Sequence, residues 1–253
     1  MDMLDTIVSI GLDEPIFEPE AGLQMTYVDG KFLKLVPPVI ATPNVDWFLS
    51  NFGASDFQEA RRAKKEIFAH LDEKLKIIPP GAEGIIYHPY LSPIGERCPF
   101  TKLTAKGNFF GLGLHHSRHH LLRSIYEGVA FAAHDCLTAS KVNIRRIMLS
   151  GGGAKSDVWA GIEADVLGKT VSVPVGQEFG AKGAVLTAMV AMGLFPDHQS
   201  AIKQTIKAAR VFEPDAANHE LYRGFFELYR NIVSHLWSDW DKRSEVLEKT
   251  KRL

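Results

Sequence analysis

Cysteine is nearly absent: Cys98 and Cys136 are the only two in 253 residues. That excludes a disulfide scaffold and fits a reducing compartment, so a cytoplasmic protein is expected. Long apolar runs are absent too. None approaches the ~18–20 residues of a membrane span. The opening "MDMLDTIVSIGLDEP" has neither a basic start nor a long apolar stretch, so no secretory leader is expected. Net charge is also lacking, at −1, which removes any global pull toward nucleic acid or anionic membrane. There is no internal repeat and no low-complexity linker. Three motifs are missing as well: the phosphate loop GxxxxGK[ST], the dinucleotide spacing GxGxxG, and the zinc motif HExxH.

What remains is ordinary globular material, 45% hydrophobic and 23% charged, enough for a sizeable core. "TIVSIG" predicts a strand. "LQMTYVDGKFLKLV" predicts a hairpin, because Asp29-Gly30 suits a type I′ turn, and Pro37-Pro38 closes it. "TPNVDWFLSNFG" predicts a short helix with Asn44 as N-cap and Gly53 as stop. "SDFQEARRAKKEIFAHLDEKLKII" predicts one long charged helix. Its basic run, Arg61 to Lys65, sits among acids and so reads as a solvated face. "EGIIYHPYL" predicts a strand. Beyond "GNFFGLGLHHSRHH" a helix buries Leu122, Ile125, Val129, Ala132 and Cys136 on one stripe. Arg123 and Glu127 are spaced for an intrahelical ion pair, worth about a few tenths of a kcal/mol if exposed. "IRRIML" predicts a strand, "SDVWAGIEADVLG" a helix from Ser156 to Gly168, and "TVSVP" another strand. "GAKGAVLTAMVAMG" predicts a helix whose small residues allow close packing. Two more helices follow, the last with Leu221, Phe225, Leu228 and Ile232 aligned. Strands first, then alternating strands and helices, predict an α/β fold with a mixed sheet flanked by helices.

Two motifs carry chemistry. In "IRRIMLSGGGAKSDVW" a strand ends, three glycines turn, and a helix begins. Helix N-termini present unpaired N–H groups, and glycines let a ligand approach the backbone. A tight turn with no ligand fits the glycines equally well. "HHSRHH" spaces His115 from His119, and His116 from His120, by four residues, which can place two imidazoles on one helix face. Arg118 lies between the pairs, and a cation there opposes a metal. The expectation is a helix N-terminal turn with partly exposed histidines and no metal ligand.

These residues resemble the FGGY family of carbohydrate kinases. Gly107 to Glu127 has the spacing of its C-terminal signature, with Gly107, Gly111, Leu112, His120-Leu121, then Ser124 to Glu127. "SGGGAKSDVWAGIEADVLGKTVSVP" resembles the family's adenosine-binding turn and following helix. "EFGAKGAVLTAMVAMG", "GLQMTY", "NVDWFLSNF" and "YHPYLSPIGERCPF" resemble further segments, the last in the manner of xylulokinase-like members. The similarity runs from about Leu4 to about Gly193.

The resemblance implies an actin-like ATPase domain of ribonuclease H-like topology. Residues 1–253 correspond to the C-terminal, ATP-binding domain, and the N-terminal sugar-binding domain is not among them. The family's phosphate loop and its catalytic Asp belong to that other domain, so no catalytic residue is nominated; Asp2 and Asp5 lack the motif around them. Gly151 and Gly152 would line the phosphates and ribose of ATP, and Gly153 and Ala154 would complete the turn. Ser156 matches a position where some relatives have Asn near adenine. Thr42 falls where glycerol kinase-like members have Gly, and Asp46 where they have Gln, so both are candidates that depart from the pattern. Lys155 reads as exposed rather than phosphate-binding. Mg²⁺ would come with ATP, held mainly by phosphates and the other domain, and no metal ligand is nominated. The function implied is transfer of the ATP γ-phosphate to a pentulose such as xylulose, or a related polyol. The alternative is a non-catalytic nucleotide-binding or scaffold domain. The expected partners are ATP, a sugar held through the other domain, and a second copy of the chain.

Overall fold

The computed structural model describes residues 8–16, 23–36, 40–144, 147–176 and 178–250. Asp2, Asp5, Pro37-Pro38 and the Arg145-Arg146 part of the predicted "IRRIML" strand lie outside them.

Three small sheets carry the strands. In the first, β1 (Val8–Leu12) and β2 (Leu23–Thr26) both pair antiparallel with the central β3 (Phe32–Val36). The predicted turn forms: Asp29 and Gly30 have φ of 56° and 70°, and Lys31 N–H donates to Val28 O at 3.2 Å. β4 (Ile86–His88) and β5 (Asn108–Phe110) make an antiparallel pair. In the third sheet β6 (Ile147–Met148) runs parallel to β7 (Val171–Pro174), and β8 (Ala208–Phe212) closes antiparallel on β7. That sheet is mixed, as expected, but β8, the segment "AARVF", is an addition to the predicted strands.

Among the helices, α1 (Thr42–Phe52) stops at Gly53 as predicted, but Asn44 is not its cap. Pro43 already removes one donor from the first turn, and Asn44 is the third residue of the helix, behind Ala41 at the cap position. Its buried amide donates back to Ile40 O and Ala41 O, and its Oδ1 accepts the Tyr87 hydroxyl at 2.7 Å. The predicted long charged helix is two, α2 (Ala54–Arg62) and α3 (Ile67–Leu75). Lys64 adopts φ 53°, Lys65 N–H returns to Ala60 O, and Lys64 N–H to Arg61 O. This is a Schellman ending with lysine where glycine is usual, so the sequence carried no stop signal. Arg61 to Lys65 are exposed, as expected.

α4 (Arg118–Ala139) and α5 (Asp157–Leu167) form the centre, and α8 (Ala216–Thr250) packs on α5 and β4. The predicted α4 stripe from Leu122 to Cys136 is buried. The predicted Arg123–Glu127 pair forms at 2.8 Å, and it is buried. Glu127 also accepts Gly81 N–H and the Tyr222 hydroxyl, so the pair ties α4 to α8 and to the loop before β4. The α8 stripe is also different: Tyr222, Tyr229, Ile232, Val233 and Trp240 are buried, whereas Leu221 and Leu228 are exposed. Aromatics with polar tips occupy the inner face because the core offers them partners, such as Tyr90 to Tyr229 at 2.8 Å.

α6 (Phe179–Ala191) and α7 (His198–Thr205) pack on each other at the margin. The predicted close packing of α6 is not seen among the described residues. Only Leu186 is buried, and a Cβ on Gly180 or Gly183 would meet nothing. No helix is long and apolar enough to cross a membrane among the described residues.

Candidate functional site

The glycine turn hangs from the parallel pair of the third sheet. Leu149 N–H donates to Ser172 O at 2.9 Å, which anchors the end of β6. Gly151 then takes φ 81°, a conformation that strains any residue with a side chain. A Cβ there would project into open space. Gly152 returns to helical dihedrals, and Gly153–Lys155 make a single 3₁₀ turn leading into α5. The amides of Gly151, Gly152 and Gly153 donate to no protein group among the described residues. Gly153 rests on the Trp159 ring, which stacks on Tyr126 at 4.5 Å and 8°.

The start of α5 behaves differently. Ser156 is the N-cap, as predicted, and Gly168 the left-handed stop at φ 59°. The Ser156 hydroxyl is fully buried, accepts Trp159 N–H at 3.0 Å and donates to Asp72 Oδ1 at 2.5 Å. Asp72 Oδ2 takes Asp157 N–H at 2.8 Å and Val158 N–H at 3.4 Å. The helix-end amides that the sequence offered to a ligand are therefore already held by a carboxylate from α3. Burial holds the Asp72 pKa above the ordinary carboxylate value, against these hydrogen bonds. Arg210, on β8, bonds both Ala154 O and the Asp157 carboxylate, and so clamps the exit of the turn. Neither Asp72 nor Arg210 was legible in the sequence. They arrive from 84 and 56 residues away and belong to no local motif.

The second predicted segment does reach the turn. A Cβ on Gly152 would lie 2.5 Å from Thr42 Cγ2 and 2.9 Å from its Oγ1. Glycine is thus required for the first turn of α1 to lie against the loop. Asp46 follows Thr42 by four residues, on the same face of α1, and is exposed. Ala154 is buried and Lys155 exposed.

The histidines open α4 as a helix N-terminal turn. Ser117 is the N-cap, and its N–H donates to His120 Nδ1 at 3.1 Å, so an imidazole fills the role usual for Glu or Gln. Arg118 and His119 turn to the buried Asp56, at 3.0 and 2.8 Å.

Residues 11–192 match the model of the FGGY family of carbohydrate kinases, C-terminal domain. The chain belongs to that family. This FGGY domain is 32% identical over 195 residues to the xylulose kinase of Bacillus subtilis, covering 76% of the chain and 37% of that protein. It is 33% identical over 207 residues to the erythritol kinase of Brucella abortus, covering 80% and 39%. The crystal structure of xylulose kinase from Rhodospirillum rubrum superposes with a TM-score of 0.77 at 26% identity, over 94% of this chain and 46% of that one. The FGGY domain therefore has the actin-like ATPase fold of these kinases, and it spans less than half the length of the relatives it matches.

Proposed function

We propose that this chain is the ATP-binding half of an ATP-dependent sugar kinase, with a pentulose such as xylulose, or a related polyol, as acceptor. One observation carries the reading. Among the described residues, three successive glycine amides are without protein acceptors, in a turn that leaves open space over Gly151 and lies against Thr42. Such a turn can follow a phosphate chain with backbone donors, and no Cβ stands in the way. Gly151, Gly152 and Gly153 are the phosphate and ribose contacts, and Ala154 shapes the bend. Thr42 flanks them with a hydroxyl, and Asp46, one helical turn on, faces the adenosine side. Ser156 serves as a structural cap rather than a ligand, because both sides of its hydroxyl are engaged by Asp72 and Trp159.

Mg²⁺ enters with the nucleotide, held by phosphate oxygens. Asp72 points its oxygens into the α5 cap. Phosphoryl transfer needs a base and an aligned hydroxyl, and these come from the sugar-binding half found in the longer relatives. The choice of pentulose rests on the xylulose kinases among the relatives.

The test is titration calorimetry of the chain with a non-hydrolysable ATP analogue. Binding weaker than micromolar is expected, since half the contacts lie elsewhere. Gly152→Val should weaken it at least tenfold by pushing into Thr42. Unchanged binding in a folded Gly152→Val variant would remove the turn as the nucleotide site.

A further inference from the structure

Arg118 separates the two histidine pairs in sequence, but in space it leaves them. Its guanidinium lies on Asp56, 3.0 and 3.2 Å from the carboxylate, and 4.0 Å from Glu59. A carboxylate takes its place beside the imidazoles. Glu83 Oε2 lies 3.7 Å from His115 Nε2 and 3.5 Å from His120 Nε2. These separations are long for hydrogen bonds. They are close to the edge of a tetrahedral zinc site, where bonds of ~2.0–2.1 Å put ligand atoms about 3.3 Å apart.

We propose that Glu83, His115 and His116 bind one divalent ion of the zinc type, with His120 orienting the Glu83 carboxylate. One ligand atom from each of the three lies within 4.8 Å of the others. His115 is exposed and packs against His116, with ring centroids 3.9 Å apart. His116 Nε2 lies 3.3 Å from Glu83 O. A proton on that nitrogen donates to the carbonyl and makes Nδ1 the lone-pair nitrogen, the outer-partner arrangement usual for ligating histidines. Gly113 N–H now fills that lone pair at 2.8 Å and is the donor the ion displaces. His120 Nδ1 accepts Ser117 N–H, so its Nε2 carries the proton that faces Glu83.

The carboxylate is presented rigidly. Gly81, Ala82, Glu83 and Gly84 all have positive φ, at 84°, 47°, 55° and 101°. Two of these are non-glycine residues in a disfavoured region, which persists only where surrounding structure imposes it. Here Gly81 N–H is held by the buried Glu127 at 3.0 Å, and Ala82 is fully buried. Two imidazoles and one carboxylate, with a position left for water, suit zinc, nickel or copper better than magnesium or calcium. Asp56, Glu59 and His70 form a second cluster of similar make-up, but Asp56 already binds Arg118 and His119.

The experiment is calorimetric titration of the tag-free full chain with Zn²⁺, with Co²⁺ absorption reporting coordination. One ion per chain is expected, with Kd on the order of 10 µM or tighter. His115→Ala and Glu83→Gln should each weaken binding at least tenfold and abolish the tetrahedral Co²⁺ bands. Glu59→Gln should leave both unchanged. If Glu83→Gln fails to fold by circular dichroism, Glu83→Gly, which suits the positive φ, replaces it. Absence of saturable binding, or binding indifferent to His115→Ala and the Glu83 variant, would overturn the proposal.

Discussion

Glu163 sits on the inner side of α5, buried with no charged partner among the described residues, and burial raises its pKa to about 8. Its unfolded value is 4.5, so the folded chain keeps a proton that the unfolded chain releases. The contribution to stability is complete below pH 4.5 and declines as pH rises toward 8. Glu163→Gln should therefore raise the melting temperature by roughly 5 °C or more at pH 9, and by less at pH 6. Thermal melts of both proteins across that range check it; a pH-independent difference would contradict the assignment. His134 has the opposite sign. Burial lowers its pKa to about 4, so stability is lost as pH falls from 6.5 toward 4. At this scale the sequence was informative where a residue acts on its neighbours. Ser156 and Gly168 cap α5, and Asp29-Gly30 turn the hairpin, because those roles are fixed by dihedral preference and by bonds spanning three or four residues. It was silent on Asp72, Arg210 and Glu83, whose partners are assembled only by the fold.

At the scale of elements, α5 was readable from end to end, whereas the break between α2 and α3 was not, because Lys64 takes a conformation that usually announces itself as glycine. β8 was missed because a five-residue edge strand with only partial burial has no clear alternation. The N-terminal cap of α5 belongs to both α3 and α5. Asp72→Ala removes the acceptor of two backbone amides and one hydroxyl, at a cost of about 1–2 kcal/mol. A fall in melting temperature of roughly 3–6 °C should follow, with Asp72→Asn intermediate. An unchanged melt for Asp72→Ala would mean that water replaces the carboxylate without loss. The expected close packing of α6 also belongs here. Its small residues were legible, but among the described residues nothing lies close to Gly180 or Gly183.

For the molecule as a whole, the order of motifs identified the family, and the superposition on xylulose kinase agrees with the fold that this implied. What sequence could not show was which surface is left uncovered. Val185, Met192, Leu194 and Ile202 are exposed around α6 and α7, beside a groove of about 340 Å³ lined by Ala181, Val185, Met189 and Ile206. Contiguous apolar surface of this kind favours association. The isolated chain should form dimers or larger species as concentration rises, and Val185→Glu should return it to the monomer. Light scattering that finds a monomer throughout a dilution series would contradict this.

The family match ends at residue 192, but the fold does not, and the superposition on xylulose kinase covers 94% of the chain. Arg210 reaches back from β8 to fasten the loop where the glycines lie, and Tyr222, Tyr229 and Trp240 fill the interior behind it. A fragment trimmed to the matched region would retain every glycine of the turn yet lose the latch that holds them in shape. The stretch marked by the family's sequence pattern is therefore shorter than the stretch that holds the glycine turn in shape.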